Sequence, residues 1–481
     1  MHAIDLAIFA IYMLAMLGVG FFFLKKNKDT DDYYVGGRKM GSWHVGLSVV
    51  ATDVGGGFSI GLGGLGFTMG ISGSWMLFTG LIGAWLAAVF LIPKVSRLSK
   101  LHNFLTFPQI FGHFYNGYVA LLAGIISAIG YIGFTSSQIL AGAKLASASF
   151  VELDLNTALI IMGVIAIVYT VMGGMKAVIY TDTIQWIILM SGLIFIGIPL
   201  GYMAIGGYDA ISAILPAEYL SFGNIKWQTF VNWGITIIPI WFVGMTLYQR
   251  IYSCRGEKEA RKAWFIAGLF EWPIMAMMGV LLGLFARVAA EQGMFVNLGY
   301  ASVGDIDSEM GLPLLLRSIL PVGLMGLMMS AYFSAIMSTA DSCLMAASGN
   351  ILTDVLGRWL HIGRSEKSIL RTSQVLTLVI GIAALILATF MQNVLELMLY
   401  SYAFMVSGLF VPVIAALFVK NSSSLAAFLA MLTGGIVTLS LILSQQKLPM
   451  GLDANFYGIT SSLMMFIVVN EVRRKQKLKN A

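Results

Sequence analysis

Charge is what this sequence has least of. Only 11% of its 481 residues are Asp, Glu, Lys or Arg while 58% are hydrophobic, and the mean hydropathy is +0.86. That balance excludes a water-soluble globular domain, where about 25% of residues are charged. Cysteine is nearly absent too. Cys254 and Cys343 are the whole complement, one in a polar loop and one deep in an apolar run, so they imply no disulfide framework. Also missing are G-x-x-x-x-G-K-[ST], H-E-x-x-H and C-x-x-C, which removes sequence support for ATP-driven pumping and zinc-hydrolase chemistry. No nucleophile and base pair is apparent, so no enzymatic activity is expected. No linker, low-complexity tract or soluble stretch of more than about 25 residues stands out, and a single membrane domain over residues 1–481 is expected.

What the chain has in abundance is apolar runs of about 20 residues, the length a helix needs to cross a hydrocarbon core. Thirteen spans are expected, at 6–24, 43–70, 71–93, 118–147, 157–174, 179–205, 228–248, 263–287, 313–351, 370–390, 394–418, 424–444 and 455–470. The ninth is too long for one crossing and should carry an extra turn in a loop. The first has no basic n-region and no small-residue cleavage site, so it should be retained as a helix. With the N-terminus outside and the C-terminus cytoplasmic, every Lys and Arg except Lys144, Lys226, Arg287, Arg317 and Lys447 falls in a cytoplasmic segment, as the positive-inside bias requires. Arg250 is counted there with Arg255, Lys258, Arg261 and Lys262. The expected setting is a plasma (inner) membrane with lipid around a multi-pass chain. The net charge of +6 is then a topology signal, and nucleic acid is not an expected partner.

An ionisable side chain inside a span costs roughly 2.5–3.5 kcal/mol on insertion scales, so each one needs a reason. Asp53 sits in GLSVVATDVGGGFSIGLGGLGF, where clustered glycine weakens the helix and frees backbone groups for an ion or a substrate. Close helix packing is the alternative use of such glycines, but it leaves Asp53 unexplained. In SAYFSAIMSTADSCLMAASG, Ala335, Ser338, Thr339 and Ser342 fall on one helical face. Their hydroxyls suit a hard cation such as Na+, although Ser and Thr in membrane helices also bond back to their own i−4 carbonyl or join two helices. Asp182 in GGMKAVIYTDTIQ is placed either to neutralise a cation or to serve a helix terminus. Asp341, Glu271 and Glu396 are given no role. Phe134, Thr135, Trp241, Phe242, Ser401, Tyr402 and Phe404 lie near span middles, as pocket lining or as plain packing.

Taken in order, DYYVGGRKMGSWHVGLSVVATDVGGG, AGAKL, GGMKAVIYTDTIQ and AIMSTADSCLMAASGNILTDV resemble the solute:sodium symporter family. The resemblance implies an all-α polytopic fold of about 13 helices with the broken-helix 5+5 inverted-repeat core of leucine-type transporters. It divides the chain into 1–42, a first repeat at 43–205, a second at 228–418 and C-terminal helices at 419–481. A sodium site follows from the carbonyls of Ala51, Val54 and Ala335 and the hydroxyls of Ser338 and Thr339. A second, found in some members, would use Asp182, Ser338, Thr339 and Ser342. Candidate substrate contacts at the midplane are Asp53, Gly56, Gly57, Phe134, Thr135, Trp241 and Tyr402. The chain looks like the proline branch in Asp53, ISGSW, AGAKL and SYAF, and like the choline branch in VGGG, TLYQR and MSTADS. Asp53 stands where the choline branch has Trp, and Gly57 where the proline branch has Trp, so neither pocket is complete. An anionic Asp53 in an apolar site favours a small organic solute bearing an ammonium group, an amino acid or an amine, over a sugar. Sodium-coupled symport is the expected function. A proton-coupled transporter and a non-transporting sensor of the same fold are the competing expectations.

Overall fold

The computed structural model describes residues 2–24, 30–150, 153–172, 175–357 and 366–480; several side chains within helices, those at 53, 54, 57 and 58 among them, lie outside that description. The described chain is helical, with one isolated β-bridge between Met40 and Cys254. The long helices, in chain order, are α1 Ala3–Leu24, α2 Ser42–Met69, α3 Trp75–Leu86, α4 Ile92–His102, α5 Gly117–Ser149, α6 Leu155–Met172 and α7 Met175–Gly192. They continue with α8 Trp227–Val243, α9 Met245–Ser253, α10 Glu257–Leu269, α11 Ala276–Glu291, α12 Gly311–Ile319 and α13 Leu324–Asn350. The last four are α14 Glu366–Thr389, α15 Val394–Phe418, α16 Ser424–Ser444 and α17 Ala454–Asn480. Among the described residues, seven helices are long and apolar enough to cross a membrane, or eight if the bent pair α8 and α9 is one span. Helix is the form these apolar runs must take, because lipid offers the backbone no hydrogen-bond partner and a helix satisfies its own.

The outer helices turn apolar side chains outward. On α14, Val375, Val379, Ile382 and Ile386 recur at spacings of three and four and are exposed, while Ile380, Ala384 and Ala388 on the opposite face are buried. Such a stripe fits lipid on one side and protein on the other. Polarity collects inside instead. Helix α13 is buried over nearly its whole length, packed against α1, α2, α5 and α7, and carries Ser330, Ser334, Ser338, Thr339, Asp341 and Ser342 into the centre. Groups of this kind are tolerated there only when they find partners.

Among the described residues two interruptions, at Gly55 and Gly244, bear on the site, and a third lies at Trp272 between α10 and α11. Helix α2 breaks at Gly55, whose φ of 33° and ψ of −159° leave the helical region. An added Cβ at Gly55 would lie 2.6 Å from Thr339 Oγ1, and one at Gly56 would lie 2.3 Å from Ile336 Cγ1. Glycine at both positions therefore lets the α2 backbone pack directly on the Thr339 and Ile336 side chains of α13. The second interruption was not expected. The run 228–248 reads as one unbroken span, but α8 stops at Val243 and α9 restarts at Met245 with a bend of 43° across Gly244. The long run 313–351 divides into α12 and α13.

Candidate functional site

A helix break frees backbone donors and acceptors that need new partners. Both breaks find theirs on α5. The Gly56 N–H donates to Gln138 Oε1 at 3.0 Å, and the Thr246 N–H at the start of α9 donates to Tyr131 Oη at 3.0 Å. Tyr131 and Gln138 are seven residues apart, two turns of one helix face. Phe134 and Thr135 lie on the same face between them, so these two candidate contacts stand between the two breaks. Thr135 bonds back to the Tyr131 carbonyl at 2.8 Å, and the Phe134 ring meets Tyr402 edge to face at 5.0 Å.

At the α2 break, oxygens gather around Thr339. Its hydroxyl lies 3.2 Å from the Ala51 carbonyl and 3.2 Å from the Ala335 carbonyl. A hydroxyl has one proton to give, so two carbonyls at equal distance compete for it. Carbonyls and a hydroxyl converging from two helices are the donor types a hard monovalent or divalent cation takes. Ser338, on the same helix, donates to Asp182 Oδ1. Asp53, Val54 and Gly57, three of the sequence-derived candidates, lie outside the residues described at side-chain level.

Asp182 on α7 is buried and accepts from Ser48 at 2.5 Å as well as from Ser338. Arg250 of α9 reaches it at 3.3 Å and also bonds to Ser342 at 3.1 Å. This corrects the reading of Arg250 as a loop cation. It is wholly buried inside the helical assembly, its charge answered by Asp182, because α9 turns inward after the break that the sequence did not reveal. A second buried cation, Lys144, pairs with Asp307 at 2.5 Å and Glu309 at 2.6 Å, and Glu309 in turn accepts the Val394 and Leu395 N–H groups that open α15.

Trp241 stands apart from this group. It packs on Gly83 and edge-on to Trp264, with ring centroids 6.4 Å apart. Asp341, given no role from sequence, is buried and takes the Thr170 hydroxyl. Above the α2 break opens a cavity of about 1060 Å³, lined by Gly61, Thr68, Glu309, Glu396 and Tyr400 among others. Gly61 is six residues beyond Gly55, about 9 Å along a helix, so the cavity floor approaches the break. Gln138 and Tyr131 were missed by sequence reasoning. Their only signal was a polar pair at i, i+7 in an apolar helix, which back-bonding or helix packing would explain equally well.

Comparison with known proteins places this geometry. A model of the sodium:solute symporter family matches residues 33–434. The high-affinity proline transporter PutP of Bacillus subtilis is 27% identical over 430 residues, 87% of this chain and 88% of that protein. The sodium/glucose cotransporter 1 of Oryctolagus cuniculus is 24% identical over 490 residues, 92% of this chain and 72% of that one. A solved structure of a Na+-coupled sialic acid symporter, in a substrate-bound outward-open state, superposes with a TM-score of 0.79 at 22% identity over 98% of each chain. At that identity it speaks for the fold.

Proposed function

The chain belongs to the sodium:solute symporter family, and from that membership we propose that it binds Na+ at the α2 break and carries a proline-like or other ammonium-bearing solute. Sodium is its coupling ion, and secondary symport, with no catalytic chemistry, is its activity. The observation that carries the site assignment is the meeting of Ala51 and Ala335 carbonyls with the Thr339 hydroxyl beside a helix interrupted at Gly55. Val54 and Ser338 would complete the ion's oxygens.

The solute would lie between the two breaks. Phe134, Thr135 and Tyr402 offer an apolar and hydroxyl-bearing wall, Gly56 a close backbone approach, and Asp53 a counter-charge for an ammonium group. Trp241, packed on Gly83 and Trp264, is left out of this wall. Relatives that carry proline and glucose have comparable identity to this chain, so the solute class rests on the carboxylate and not on resemblance.

The 5+5 repeat is supported by the two interruptions themselves: α2, opening the segment 43–205, and α8 with α9, opening 228–418, are both broken midway. Segments 1–42 and 419–481 would flank this core in a fold of about 13 crossings. The N-terminus is assigned outside and the C-terminus cytoplasmic on the basic-residue bias, which survives the transfer of Arg250 to the interior. The cavity ending near Gly61 would then face outward as the solute's entrance. The test is uptake by proteoliposomes of proline, other amino acids, choline, betaine and sugars under an inward sodium gradient. Sodium-dependent accumulation of an ammonium-bearing compound, abolished in the Ser338→Ala, Thr339→Ala double variant while membrane insertion persists, is expected. Uptake of sugars alone would overturn the solute assignment, and normal uptake by the double variant would overturn the ion site.

A further inference from the structure

One face of α10 changes character along its length. Lys258, Arg261 and Lys262 occupy its first two turns, and Phe265 and Leu269 continue the same face at spacings of three and four. The three cations and the apolar pair line an open groove of about 590 Å³, which Trp85 of α3 also lines. From Lys262 to Leu269 the helix rises about 10 Å, so charge sits at one end of the groove and apolar surface along the rest. Trp85, Phe265 and Leu269 are exposed, on a chain whose outer faces meet lipid. The Trp85 indole donates to the Phe265 carbonyl at 3.3 Å, and its ring stands edge-on to Phe265 with centroids 6.0 Å apart. A Cβ at Gly268 would fall 2.6 Å from Trp85 Nε1, so this glycine leaves the notch in which the indole lies.

The charges at the mouth of the groove are unanswered within the protein. Among the described residues none of Lys258, Arg261 and Lys262 forms an ion pair, and Arg261 Nε is buried with no hydrogen-bond partner. The acids of the same segment, Glu257 and Glu259, project about 100° to either side of Lys258. Glu259 turns toward Lys100 of α4: its Oε2 and the Lys100 Nζ converge on Gly256, at 3.2 and 3.3 Å from where a Cβ would stand. A basic cluster at the end of an apolar groove between membrane helices complements a phospholipid with an anionic headgroup.

We propose that this groove binds one anionic phospholipid, its phosphate among Lys258, Arg261 and Lys262 and the start of an acyl chain along Phe265 and Leu269, against Trp85. Arginine presents a planar fork of donors that matches phosphate oxygens. Tryptophan takes the level where headgroups meet hydrocarbon, its apolar body in one and its N–H toward the other. A zwitterionic lipid brings the same chains but carries a cation beside its phosphate, which the three basic residues repel. None of these residues is assigned to the ion or the solute, so the proposal is independent of what the carrier moves.

Native mass spectrometry of the purified full-length chain in detergent, with dioleoylphosphatidylglycerol or dioleoylphosphatidylcholine added, tests it. Wild type should retain one phosphatidylglycerol at concentrations that leave phosphatidylcholine unbound. Replacing Lys258, Arg261 and Lys262 together by Gln should weaken that binding roughly 100-fold, the loss expected of three basic residues at an anionic surface. Leu269→Trp, which fills the groove and keeps all three charges, should lose the lipid as well. A control with Arg473, Arg474 and Lys475 replaced by Gln, on the exposed end of α17, should keep it. Equal retention of the two lipids by wild type would overturn the proposal whether or not any variant folds. Retention by either groove variant, or equal loss from the α17 control, would overturn it too. Displacement of the lipid by equimolar inorganic phosphate would assign the cluster to a free anion instead, and a lipid-free dimer that Leu269→Trp dissociates would assign the face to a second copy of the chain.

Discussion

Gly56→Ala is a one-carbon perturbation whose effect follows from the contact between α2 and α13. The added Cβ would lie 2.3 Å from Ile336 Cγ1 and 3.0 Å from Ile336 Cβ, whereas carbon atoms rest at about 3.5–4.0 Å. The helices must separate by roughly an ångström, or Ile336 must leave its rotamer, and overpacking of this kind costs about 1–3 kcal/mol. The displaced segment carries the Ala51 carbonyl, held across the same interface by Thr339 at 3.2 Å. If the strain falls on the ion-bound geometry, half-saturating sodium for uptake should rise by roughly 5–150-fold, the range equivalent to that energy. Sodium titration of initial uptake rates in proteoliposomes measures it. Ile336→Ala in the same chain removes the clashing carbons and should bring the sodium requirement back toward wild type. An unchanged sodium requirement in Gly56→Ala, or one that Ile336→Ala fails to improve, would refute the claim that close packing of the α2 backbone on α13 at the break shapes the ion site.

Tyr131→Phe removes the oxygen that takes the Thr246 N–H at 3.0 Å, and a buried donor left without its partner costs about 1–3 kcal/mol. Initial uptake rate should fall while surface expression holds; a normal rate would mean that the second break needs no support from α5. Lys144→Met leaves Glu309 buried with only its backbone partners, and breaking a buried pair in this way costs about 3–5 kcal/mol. The detergent-solubilised variant should melt well below wild type, and Glu309→Gln on the same background should recover part of the loss. Additive losses in the double variant would show that the pair is not coupled.

The features legible in the sequence were those set by local chemistry. Apolar runs at 394–418 and 424–444 coincide with α15 and α16, because span length and hydrophobicity are properties of the run itself. The glycine cluster after Asp53 announced an interrupted α2 for the same reason. The break at Gly244 was hidden because a lone glycine in an apolar run, with Pro239 five residues earlier, is also compatible with a continuous helix. Arg250 looked like a loop cation because it ends that run, and its partner Asp182 lies 68 residues away in sequence. Lys144 was hidden likewise, since its acids at 307 and 309 approach only through the packing of the turn before α12 on α5. Trp241 drew attention as a mid-span aromatic, yet only the fold reveals that its neighbour is Gly83. Pairing across helices is a tertiary event, and a sequence records which residues need partners without naming them.

Solute accumulation in proteoliposomes with the sodium and proton gradients imposed separately tests the central claim most directly. The account predicts accumulation of an ammonium-bearing solute when sodium is high outside and pH is equal, and none when potassium replaces sodium under an inward proton gradient. Accumulation driven by the proton gradient alone, with sodium absent from both sides, would contradict it.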